Sequence, residues 1–107
     1  MTAWPTTGQD AMAILGQLFP SMRNVPGVSP WNVTALIDWL NSGAATGGSR
    51  QAAMFLLHVW NGDTDWRKEG LKVKPGFGRF NLSRAMAVWD DDHRKAFLAW
   101  AEEPFFP

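Results

Sequence analysis

Cysteine and tyrosine are both missing from the sequence. Without a thiol there is no disulfide framework, thiolate zinc site, iron–sulfur cluster or cysteine nucleophile. Net charge is missing too, with ten Lys and Arg against ten Asp and Glu. No global excess therefore draws the chain to nucleic acid or an anionic membrane, and any such affinity must be local. The longest apolar run, near Ala52–Trp60, falls far short of the roughly 20 residues that cross a bilayer. The start, Met1 to Pro5, lacks the basic and then apolar pattern of a secretory leader. These absences predict a cytoplasmic protein with no membrane partner. At 107 residues and 46% hydrophobic, the chain suits one domain, residues 1–107, and excludes most multi-domain enzymes.

Start and stop signals mark five helices. The first runs from Thr7 or Gly8 to Phe19, where Ala11, Ile14, Leu15 and Leu18 share a face and Pro20 ends the run. Gly16 weakens it. A loop then leads to a second helix, capped by Ser29 with Pro30 in its first turn, carrying Val33, Leu36, Ile37 and Leu40 inward and stopping at Gly43. Ser49 caps a third, which ends near Asn61-Gly62 and is apolar nearly all round, so it is predicted to be central. Residues 63–80 follow neither period and are predicted to be a long loop, with a short irregular β-like piece around Leu71–Phe80 and a type II turn at Pro75-Gly76. Asn81 caps a short fourth helix with Leu82, Ala85, Met86 and Trp89 inward. The fifth begins in the Asp90–Asp92 cluster and carries Ala96, Phe97, Trp100 and Ala101 inward. The predicted fold is all-α: one small irregular or orthogonal bundle of about five short helices, with no sustained heptad seam.

Charge is unevenly distributed. Arg67, Lys68, Lys72, Lys74, Arg79 and Arg84 face only Glu69 between Trp66 and Arg84. Trp66, Phe77 and Phe80 interleave with these cations, the arrangement that single-strand and RNA binders use to neutralise phosphates and stack bases. The alternative is a solvated loop whose rings close over the core and whose charges pair with Asp63, Asp65 and Asp90–Asp92. The second and third helices make a poor helix-turn-helix, because the connection is long and the would-be recognition helix is apolar.

Seven tryptophans are unusual in so short a chain. Trp39, Trp60, Trp89 and Trp100 have helical spacing and are predicted to be core. Trp4, Trp31 and Trp66 lie at element ends or in loops, where an exposed indole anchors a protein interface or else lids the core. The tail, Pro104-Phe105-Phe106-Pro107, either docks back or offers a peptide ligand or dimer contact, and docking back is expected.

Other patterns are weaker. Asp90-Asp91-Asp92-His93 is explained by capping better than by a metal or a hydrolase site. Asp63-Thr64-Asp65 lacks the glycine and glutamate of a calcium loop. His58 reads as a core histidine. Gly43–Ser49, with Arg50, offers an anion a helix N-terminus but lacks the phosphate-loop pattern. With no nucleophile–base pair or ligand set evident, the sequence predicts no enzyme, no cofactor and no metal. The leading expectation is a binding module that meets an unidentified protein, or its own copy, through Trp4, Trp31, Trp66, Phe105 and Phe106. The rival is a nucleic-acid binder using Arg67, Lys68, Lys72, Lys74, Phe77, Arg79 and Arg84.

Overall fold

The computed structural model describes residues 4–62 and 64–107. The secretory-leader reading of residues 1–3, and the roles considered for Asp63, lie outside them. Five helices appear in chain order: α1 Gly8–Leu18, α2 Val33–Asn41, α3 Gly47–Asn61, α4 Leu82–Val88 and α5 Asp91–Glu102. Two short 3-10 turns, Pro20–Met22 and Trp66–Glu69, lie in the connections. There is no strand among the described residues, so the β-like piece expected near Leu71–Phe80 is absent.

Side-chain caps fix three of the helix starts. Asn32, Asn81 and Asp90 each hold extended backbone and accept a hydrogen bond from the N–H three residues on, at 3.0, 3.0 and 2.9 Å. Each such cap satisfies a backbone N–H that the first turn of a helix otherwise leaves unpaired. In α3 the hydroxyl of Ser49 accepts from the Thr46 N–H at 2.8 Å. Thr46 is thus the boundary residue, and Ser49 lies one turn inside. The start of α2 also differs from expectation. Ser29-Pro30 is a cis peptide outside the helix, and Asn32, whose own N–H is held by the Gly27 carbonyl at 2.7 Å, caps α2 instead.

The apolar helix α3 is the centre, as its composition predicts: Ala52 through Leu57 are all buried. It packs on α1, α2, α4 and the first 3-10 turn. Phe55 is a hub, its ring between 5.2 and 6.2 Å from those of Phe19, Phe80, Trp89, Phe97 and Trp100. Centroid distances in this range suit edge-to-face and tilted pairs, which add to the stabilisation from area alone.

On α1 the inner stripe is Ala11, Met12, Leu15 and Gly16, leaving Ile14 and Leu18 outside. Gly16 explains the rotation. A Cβ there would collide with Val28, so the missing side chain lets residues after the first 3-10 turn close on α1. Gly27 is likewise required: its φ is +88°, and a Cβ would lie 2.6 Å from the Leu36 nitrogen. Leu82 and Ala101, expected inward, are exposed.

Trp89 is core, as predicted, and the three tryptophans at element ends take the core-lidding alternative rather than the exposed one. Trp4, Trp31 and Trp66 are 8%, 5% and 3% exposed, whereas Trp39, Trp60 and Trp100 on the helices are only partly buried. A helical period says which side of a helix is apolar but not how far neighbours cover its edge. The rings from loops lie across those edges. Trp31 packs on Trp60 at 5.6 Å. Trp4 packs on Phe105 at 5.1 Å and donates its indole N–H to the Glu103 carbonyl at 2.7 Å. Trp100 donates to the Phe105 carbonyl at 3.1 Å. The tail is therefore docked, as expected.

Candidate functional site

The connection from Thr64 to Phe80 is ordered by its own polar groups. The Trp66 N–H donates to the Gly78 carbonyl at 2.9 Å, and the Leu71 N–H donates to the Trp66 carbonyl at 3.0 Å, so the segment folds round the Trp66 ring. Asn41 at the end of α2 clamps it: the side-chain amide donates to the Gly70 carbonyl at 2.9 Å and the amide oxygen accepts from the Lys72 N–H at 2.8 Å. The Phe77 N–H then closes on the Lys74 carbonyl at 3.0 Å, with Gly76 at φ +89°. That is the type II turn predicted from Pro75-Gly76.

Arg84, on the first turn of α4, reaches back to this turn. Its guanidinium donates to the Gly76 carbonyl at 3.2 Å and lies 4.0 Å from the centre of the Phe77 ring. A cation over a ring face is attracted by the ring's quadrupole. One face of Phe77 is so engaged, and the residue remains 46% exposed.

Between the turn, α4 and the α2–α3 junction lies a cleft of about 480 Å³. Leu40, Met54 and Leu71 give it an apolar base; Arg50, Lys72, Lys74, Arg79 and Arg84 surround it. No carboxylate among the described residues lines it. Arg50, Lys72 and Lys74 make no ion pair among the described residues. Like charges converging on a concave wall reinforce one another's field, and this favours an anion.

The predicted basic set is thus divided. Lys72, Lys74, Phe77, Arg79 and Arg84 come together in the cleft. Arg67 and Lys68 lie on the second 3-10 turn, outside its lining, and Arg67 is 4.0 Å from Asp65. Trp66 and Phe80, expected to offer stacking surfaces, are core: Trp66 is buried and Phe80 packs on Phe55 and Trp89. The cleft also has members that the basic run does not contain. Arg50 comes from the first turn of α3, and Gln51 and Asn41 add amide groups. The glycines before Arg50 were the available signal. What they lacked was any hint that residues 72–79 fold back over them.

The residues expected to meet a protein partner are mostly spent in the core. Trp4, Trp31 and Trp66 are buried and Phe105 is half-buried, leaving Phe106 exposed at 70%.

Among the described residues no three His, Asp or Glu side chains gather as a metal site. His58 packs on Phe80 at 5.8 Å. In the acidic run, Asp91 pairs with Arg94 at 3.7 Å and Asp92 lines a separate hollow. His93 turns to Asp90, and also to Ser21, 72 positions earlier. Sequence reasoning saw no nucleophile–base pair. Ser21, His93 and Asp90 form a hydrogen-bonded chain, and nothing in the local pattern around Ser21 signals it. No protein-family model, curated protein or solved structure matches the chain.

Proposed function

We propose that this protein binds single-stranded nucleic acid through the cleft between the Lys74–Phe77 turn, α4 and the start of α3. The observation that carries the reading is the convergence of five cations, with no carboxylate among the described residues in the lining, around an apolar base and beside a partly exposed Phe77 ring. Cations hold phosphates, and a ring with open surface accepts an unstacked base, so a flexible strand satisfies both. A duplex fits less well. The cleft is concave, about the volume of a small-ligand pocket, and α4, the helix at its edge, has only seven residues.

The protein–protein reading has less support, since three of its five residues are buried. Anisotropy of fluorescently labelled single-stranded RNA, single-stranded DNA and duplex DNA tests the proposal. With four phosphates engaged, single-strand affinity should fall roughly fiftyfold between 50 and 200 mM salt. Lys72→Glu with Lys74→Glu should abolish measurable binding while the helical circular-dichroism spectrum stays unchanged. Binding that ignores salt, or survives the double charge reversal, would sink the proposal.

A further inference from the structure

We propose that Ser21 is an activated nucleophile, part of a Ser21–His93–Asp90 relay that accepts an acyl group from a small carboxylic ester. The site lies apart from the cationic cleft and is independent of the nucleic-acid reading. The Asp90 carboxylate is 2.7 Å from His93 Nδ1, and His93 Nε2 is 2.6 Å from the Ser21 hydroxyl.

The proton inventory orients this chain. Bonds from the His93 N–H and ring hold the Asp90 carboxyl below its ordinary value of 3.8, so it is ionised at neutral pH and only accepts. His93 Nδ1 must then carry the proton. In the neutral imidazole Nε2 is therefore the bare nitrogen, and the Ser21 O–H donates to it. This is the tautomer a serine nucleophile needs. The ring is fixed as well as oriented: His93 is 7% exposed and lies against Phe19 at 5.8 Å. Ser21 itself is exposed, on the 3-10 turn that ends at Met22.

A hollow of about 410 Å³ lies beside the 3-10 turn and α5, with Leu18, Pro20 and Ala96 as apolar lining and Arg23 and Lys95 outnumbering Asp92. Ser21 and His93 are not among its lining residues, so an ester held there must extend out of it to meet the Ser21 hydroxyl. The hollow's net positive field favours the negative charge that develops on a carbonyl oxygen under attack. In the step, Ser21 Oγ bonds to the carbonyl carbon as its proton passes to His93 Nε2. The carbon–oxygen bond to the leaving group then breaks, and the imidazolium returns the proton to the departing alcohol. Water, giving a proton to His93, then bonds to the acyl carbon; the bond to Ser21 Oγ breaks, Oγ takes the proton back from His93, and the acid leaves. Ser21 and His93 are the catalytic residues; Asp90 is a positioning residue.

The same hydrogen bonds also tie the first 3-10 turn to α5, so the test must separate chemistry from bracing. Full-length protein is treated with a fluorophosphonate probe, the labelled residue is mapped by mass spectrometry, and p-nitrophenyl acetate hydrolysis is followed in parallel. The expected result is a label on Ser21, lost in Ser21→Ala with the circular-dichroism spectrum retained, and a rate at least a hundredfold lower in His93→Gln, in line with the usual contribution of a general base. Should His93→Gln fail to fold, Asp90→Asn carries the test from an exposed position. Its labelling rate should fall while its circular-dichroism spectrum is retained, because the imidazole loses the carboxylate that fixes its tautomer. A pure brace would leave the labelling rate unchanged. No labelling of the wild type, labelling that persists in Ser21→Ala, or an unchanged labelling rate in Asp90→Asn would each overturn the proposal.

Discussion

Residues 19–32 and residues 64–81 both join helices without forming one, and both are punctuated by glycine and proline. The first stretch is core. Phe19, Met22 and Val28 are fully buried, Trp31 nearly so, and Arg23 is its only charge. The second buries Trp66 and Leu71 and leaves Lys72, Lys74 and Arg79 on the surface. Short turns pair part of each backbone locally: Met22 to Phe19 at 2.9 Å, Asn32 to Gly27 at 2.7 Å and Lys68 to Asp65 at 3.0 Å. An irregular segment is therefore not a surface segment by default. The density of charge decides which side of it faces water, and a second stretch whose apolar residues suffice only to anchor it leaves its cations gathered over a cleft.

The sharpest way to break the contrast is Phe19→Ala. Phe19 touches the rings of Phe55, Trp89 and His93, and a truncated buried phenylalanine costs about 3–5 kcal/mol. Urea unfolding should show that loss, and a cost below 1 kcal/mol would mean the first stretch is not core. The matched substitution in the second stretch is Phe77→Ala. Its urea midpoint should remain within error of wild type, while single-strand affinity weakens by about 1–3 kcal/mol through loss of one stacking surface. A stability loss with no change in binding would reverse the assignment.

The smallest effect concerns acid. The Asp90 carboxyl is held below 3.8 by bonds from His93, so its folded-state value is depressed. Its contribution is complete above 3.8 and disappears as pH falls through the depressed folded value. The thermal midpoint of wild type should therefore exceed that of Asp90→Ala at pH 6, and the gap should start to shrink below 3.8 and close as pH passes the depressed folded value. A constant gap down to pH 2 would refute the assigned bonding.

The sequence carried the helices well where caps and apolar period agreed. Asn81 and Asp90 were legible because each precedes a patterned segment, and α3 because it lacks a polar face. Two cap-like signals three residues apart hid the start of α2, since Ser29-Pro30 competes with Asn32. Half the cleft was legible as well, because Lys72, Lys74, Phe77, Arg79 and Arg84 are close in sequence. Arg50 and Asn41 join them only through the fold of the Asn41 clamp, a pairing across 29 and 31 positions. Ser21 and His93 were out of reach for the same reason, being 72 positions apart. Local periodicity contains no information on such distances.

The burial of the indoles has an optical consequence. None of the seven tryptophans lines the cleft, and Trp4, Trp31, Trp66 and Trp89 are shut inside the domain. Ultraviolet-excited emission from this molecule is therefore a gauge of whether the interior is intact, and it is dark to whatever occupies the cationic face. A colour change on heating would be large, while one on adding a strand would be slight. To make the face visible the chromophore has to be moved there, and Phe77→Trp is the position from which a single added indole would see the cleft.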